Sequence, residues 1–160
     1  MVIKMKYLKY TLIIIPIISL TACHLANTPT SIVEDYLTKY QKLDKDVEKE
    51  INDVVENSTV DDSEKDRYKK IIKKGYQNLT YKIKDEKIDG NLATVEVQIE
   101  VLDYKKIVNN SDITTRIDEL EKASETINYT INFELSKDDS GNWILNPPSS
   151  SDIKKIQGMY

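Results

Sequence analysis

Two stretches of strict alternation constrain this chain more than anything else in it. Ala93, Val95, Val97, Ile99 and Val101 alternate with Thr94, Glu96, Gln98 and Glu100, and Ile127, Tyr129, Ile131, Phe133 and Leu135 repeat the pattern. Period two over nine residues places one side of an extended strand in a core and the other in water. Such a sheet leaves its apolar side bare unless something covers it, and the preceding sequence supplies the cover. Ile32, Val33, Tyr36, Leu37, Tyr40 and Leu43 recur at helical spacing, then Val47, Ile51, Val54 and Val55, then Tyr68, Ile71 and Ile72. Helices first and strands afterwards is an α+β order.

Local signals mark the element ends. Thr28-Pro29 reads as an N-cap followed by proline at the first helical position, with Ser31 and Glu34 as a second capping box. Leu43-Asp44 is expected to break the first helix from the second, although one continuous helix stays open. Asp61-Asp62-Ser63-Glu64 offers a third helix start, and Gly75 is expected to stop that helix as its C′ residue. Leu79, Tyr81 and Ile83 open a first strand, and Asp89-Gly90 turns it into the second. Asp112–Ser124 has a short helical pattern on Ile113, Ile117 and Leu120. A fourth strand is expected over Trp143–Asn146, stopped by Pro147-Pro148, with a last helical turn in the tail from Ser149 to Tyr160.

The first 23 residues carry a different message. Lys4, Lys6 and Lys9 precede the short apolar run Leu12–Leu20, which contains Pro16. A basic head and a short apolar run make a secretory signal, too short for the ~20 apolar residues of a membrane span. Leu20-Thr21-Ala22-Cys23 resembles the lipobox of bacterial lipoproteins at all four positions. That resemblance implies a diacylglyceryl group on the Cys23 sulfur and cleavage before Cys23. It divides the chain into a signal peptide (1–22), a lipidated cysteine and tether (23–28) and a domain (29–160). The expected location is the outer face of the cytoplasmic membrane, with the lipid bilayer as first partner. Two acyl chains are needed for a stable hold, since one binds only marginally.

Composition narrows the partners. Removing residues 1–22 takes away three lysines and no acid, which moves the formal charge from −4 to −7. An acidic domain is a poor nucleic-acid binder. Cys23 is the only cysteine and His24, in the tether, the only histidine. The domain therefore has no disulfide, no histidine base and no Cys/His metal cluster; no cofactor and no metal is implied. Asp138-Asp139-Ser140-Gly141-Asn142 has the look of a calcium loop, but Ser149 stands where an EF-hand places its closing Glu, so a plain turn is expected. Lys69-Lys70 and Lys73-Lys74 are read as a solvated helix face.

Beyond these readings, the chain resembles the nuclear transport factor 2-like superfamily, and within it lipoproteins of Gram-positive bacteria. The matching features are Pro29 opening the first helix, Tyr36-Leu37 within it, Leu43-Asp44 closing it, Gly141-Asn142-Trp143-Ile144 in the last hairpin and Ile156-Gln157-Gly158 at the end. The resemblance spans residues 29–158 and implies a sheet wrapped round a helix as a cone with a pocket. Tyr36, Tyr40, Tyr81, Val97, Phe133 and Trp143 are the candidate pocket lining, with core as the competing assignment for each. The expected function is non-catalytic binding of a small molecule or peptide. Two alternatives stay open: an enzyme of the same fold using a buried carboxylate beside a tyrosine, and a protein-interaction domain without a pocket. Outward-facing Glu96, Glu100 and Glu134 on a polar sheet face lead to the expectation of a monomer.

Overall fold

The structure, a computed structural model, describes residues 27–109 and 111–160. Cys23 and the signal segment lie outside the described residues. The described residues are α+β: three helices, a four-stranded antiparallel sheet with short helical segments between its strands, and a C-terminal helix.

Helix α1 (Pro29–Lys42) begins where its caps dictate. The Thr28 hydroxyl accepts from the Ser31 amide at 3.2 Å, and the Ser31 hydroxyl accepts from the Thr28 amide at 3.1 Å. The capping box is thus Thr28/Ser31 rather than Ser31/Glu34. Leu43 ends the helix in the left-handed conformation, φ 52° and ψ 55°. Asp44 then caps α2 (Lys45–Glu56) by accepting from the amides of Asp46 and Val47. The two helices are therefore separate. Helix α3 (Lys65–Gln77) starts one turn later than its acidic run suggests, since residues 62–64 form a turn.

Strands β1 (Thr80–Asp89), β2 (Leu92–Leu102), β3 (Thr126–Lys137) and β4 (Trp143–Leu145) pair in sequence order. The alternation holds: Val95, Val97, Ile99, Val101, Ile131, Phe133 and Leu135 are all buried on the inner face. Helix α1 covers that face with Val33 and Leu37, both at 0 % exposure. In β1 the register slips between Ile83 and Asp85, leaving Lys84 as an extra residue. This bulge inverts the side-chain phase, so Glu86 faces inward. Its carboxylate accepts from the Thr30 amide at 2.9 Å and the Thr30 hydroxyl at 2.6 Å, where the first turn of α1 has an unpaired amide and the positive end of its dipole.

A second, smaller core lies beyond the end of β2. It contains Ile71 of α3, Leu102, and Tyr104 and Val108 of α4 (Tyr104–Val108), with Ile117 and Leu120 of α5 (Ile117–Glu121) and Ala123. The expected helix over Asp112–Ser124 is broken: Ile113–Arg116 is a 3-10 turn, and only α5 is α-helical. Helix α4 is an addition that the apolar pattern did not announce. Arg67 of α3 clamps α5 through Glu121, at 2.9 and 2.7 Å, and Asp118, at 2.5 Å. Lys74 donates to the carbonyls of Glu121 and Ala123 at the end of α5.

Helix α6 (Ser150–Ile156) closes the chain over the edge of β3 that the short β4 leaves unpaired, and Lys155 reaches the Thr130 carbonyl there. The tail then docks on β2. A Cβ on Gly158, φ +68°, would collide with the Leu102 carbonyl oxygen, while the Gly158 carbonyl accepts from the Lys105 amide at 2.8 Å. Only glycine meets both conditions.

Candidate binding cavity

The six aromatic and apolar candidates belong to the main core. Tyr40, Val97, Phe133 and Trp143 are buried in it, with Tyr36 and Tyr81 packed against it. Phe133 meets the Tyr36 ring edge-on at 5.8 Å, and Tyr36 meets Tyr40 at 5.2 Å. Trp143 lies under the Lys137 ammonium, 4.8 Å from the ring centre. The Tyr81 hydroxyl is 3.4 Å from that of Thr38. The structure thus brings the six into one cluster, but the space between α1 and the sheet is filled by their side chains and by α1 itself. None of them lines the apolar cavity between the helices, and only Phe133 borders another, a concavity of about 200 Å³ beside Pro147 and Pro148.

That cavity, about 360 Å³, opens at the seam between the two cores. Helix α2 supplies Ile51 and Val54 to its wall. Helix α3 supplies Tyr68, Ile71, Ile72, Gly75 and Tyr76. Tyr104, Ile113 and Leu120 come from the segment between β2 and β3, and Lys154, Gln157 and Met159 from α6 and the tail. Its size falls within the range of small-molecule sites, about 300–1,000 Å³, and its walls are mostly apolar with a few polar groups, as in such sites. A larger concavity of about 420 Å³, between Asp103 and Glu125, is walled mainly by charged and polar side chains and has no such apolar lining.

Gly75 lines the cavity, and it corrects the expectation of a helix stop. It lies inside α3, which runs on to Gln77 and is capped at Asn78. A Cβ at Gly75 would sit 2.9 Å from Cε2 of Tyr104. The missing side chain lets the Tyr104 ring lie against the helix, where its hydroxyl donates to the Ile71 carbonyl at 2.9 Å.

The polar groups at the cavity have clear states. Burial pushes the Tyr76 phenol up to about 12, while Gln157 donates to its oxygen at 3.3 Å. Burial also raises Tyr68 and Tyr104. These phenols stay neutral at physiological pH and serve as hydrogen-bond groups, not bases. The Tyr68 hydroxyl has no hydrogen-bond partner among the described residues, and Lys154 at the rim makes no ion pair among them.

A carboxylate does meet a tyrosine, outside the cavity lining. The buried Tyr40 donates to the half-buried Glu50 of α2 at 3.3 Å, its hydroxyl is 3.2 Å from that of Tyr36, and its ring packs on Tyr76 of the cavity wall at 4.9 Å. Burial, reinforced by the Tyr36 hydroxyl, holds the Tyr40 phenol far above its ordinary value. No acidic residue lines the cavity among the described residues, none of them is a fully buried charge, and no cluster of three acids, histidines or cysteines is grouped as for a metal. In the turn after β3, the Asp138 carboxylate accepts from the Ser140 and Asn142 amides at 2.9 and 2.8 Å, which occupies it with its own backbone. No described helix is long and apolar enough to cross a membrane.

Tyr68 was read from the sequence only as part of a buried helix stripe and Gln157 only within the Ile156-Gln157-Gly158 match, and none of Tyr68, Tyr104, Gln157 and Met159 was read as cavity lining. The available signal was Gly75 itself: a glycine inside a helical pattern often marks close packing. No protein-family model matches the chain, and no characterised protein or solved structure matches it either.

Proposed function

We propose that the chain is a lipid-anchored extracytoplasmic binding protein with a nuclear transport factor 2-like domain, and that its ligand is a small amphiphile with an apolar body and an acidic head. The cavity between α2, α3 and α6 carries this reading. Its apolar walls suit the body, and the Lys154 ammonium and Tyr68 hydroxyl, among its few polar groups, suit the head. Helices preceding an antiparallel sheet, the Trp143 hairpin and the Gly158 tail support the family resemblance. The Leu20–Cys23 sequence supports the anchor. The polar outer sheet face, with Glu96, Glu100 and Glu134, supports a monomer.

Two measurements test the two halves of the reading. Cys23→Ser should abolish lipid labelling and move the protein out of the membrane fraction; unchanged retention would refute the anchor. Melting of the domain with medium-chain carboxylates should shift upward, because a ligand bound only to the folded state stabilises it. Val54→Trp, which fills the cavity mouth from an already exposed position, should remove that shift without lowering the melting temperature in the absence of ligand.

A further inference from the structure

We propose that the β1–β2 hairpin end of the sheet rests on the bilayer through its outer face, with Leu92 and Ile144 in contact with lipid, and that the cavity is held at the opposite end. This rests on the acylation of Cys23 proposed above. Asn27 is fixed to β4 by two hydrogen bonds: its amide donates to the Trp143 carbonyl at 3.2 Å, and its oxygen accepts from the Trp143 amide at 2.5 Å. Cys23 precedes Asn27 by four residues, which span at most about 14 Å. The anchor point therefore stays close to Trp143, whose partner in β3 is Lys137, next to the Asp138–Asn142 turn.

That end carries several of the exposed large hydrophobic side chains. Among the described residues five large hydrophobic side chains remain exposed, and three of them are here: Leu92 at 61 %, Ile88 at 55 % and Ile144 at 47 %. Leu92 and Ile144 both pair with Ser136, one on each side, so they share one face of the sheet. Ile88 pairs with Ala93, which is buried on the inner face, so Ile88 lies on the other side of the sheet beside the Gly90 turn and is not part of the Leu92/Ile144 patch. The surrounding charges lean acidic, with Lys87 and Lys137 against Asp89, Asp138 and Asp139. The contact is thus shallow and apolar, and it does not depend on anionic headgroups.

The geometry also places the cavity. β2 runs eleven residues from Leu92 to Leu102, about 35 Å of strand, and Tyr104 of the cavity wall follows its far end. A ligand would meet the cavity from outside the cell and not from the lipid.

The test uses the full chain, matured in a bacterial host and reconstituted in vesicles of phosphatidylcholine with a minor share of phosphatidylglycerol. Cys23 is the only cysteine, so acylation leaves no native thiol, and Leu92→Cys, Ile144→Cys and Lys105→Cys can each take a thiol-reactive fluorophore. Lys105 is exposed just past the far end of β2. With nitroxide-bearing lipids in the vesicles, labels at positions 92 and 144 should lose most of their emission while the label at 105 keeps its own. Flotation with the vesicles but equal quenching at all three positions would overturn the orientation and leave the anchor intact. Failure to float, with a free thiol titrating at Cys23, would overturn the anchor and the orientation with it. Cross-linking between labelled-site cysteines of two copies, without lipid quenching, would assign the patch to a second copy and overturn the lipid contact.

Discussion

Gly75 and Tyr104 fit together as a missing side chain and the ring that takes its place. The ring edge lies 2.9 Å from where a Cβ would stand, and its hydroxyl is bonded one turn back, to the Ile71 carbonyl. This contact joins α3 to the smaller core and shapes the cavity wall. Gly75→Ala should therefore destabilise the domain by about 1–3 kcal/mol, the usual cost of overpacking, although alanine is the better helix former by about 1 kcal/mol. In a Tyr104→Ala background the same change should become neutral or stabilising. Urea unfolding of the four proteins measures this; an additive cycle would mean that the contact does not constrain the glycine.

The register of the sheet makes a second prediction. Val97 is fully buried between Ile83 and Ile131, whereas Glu96 is on the solvent side. Val97→Asp buries an unpaired charge and should unfold the domain, while Glu96→Ala should change stability by no more than about 0.5 kcal/mol. Similar urea midpoints for the two would place the strand in the wrong register.

The Arg67 clamp predicts a pH dependence. Hydrogen bonds from Arg67 hold the Glu121 and Asp118 carboxyls below their ordinary values. Groups lowered in the folded state stabilise it fully above their unfolded values, about 4.3 and 3.9, and lose that contribution as pH falls through the folded ones. The melting-temperature gap between wild type and Arg67→Met should be largest near neutrality and shrink between pH 5 and pH 2, to about zero once both acids are protonated. A gap that is constant with pH would show that the guanidinium acts through packing alone.

The parts of the fold that depend on local pattern were legible in the sequence. Alternation marked the inner face of β2 and β3, and Leu43-Asp44 marked the break between α1 and α2. What depends on long-range contact was not. The bulge at Lys84 comes from pairing with β2, and it alone turns Glu86 toward the start of α1. Helix α4 is five residues long, too short for an apolar period to register, and it is held by the Asp103 cap and by Tyr104. Gly75 had the position of a helix stop, because sequence does not reveal that Tyr104 comes to lie against it. The aromatic candidates were assigned from strand and helix period, which reports burial and does not separate a lined pocket from a filled core. The cavity is assembled from helices and turns far apart in sequence, so no single stretch announces it.

Methyl NMR of the folded domain during titration with decanoate tests the central claim most directly. The account predicts shifts concentrated at the methyls of Ile72, Ile113 and Met159, which line the cavity, with Val97 and Ile131 in the main core unmoved. Shifts spread evenly over both sets, or none at concentrations below micelle formation, would contradict a ligand site at the seam of the two cores.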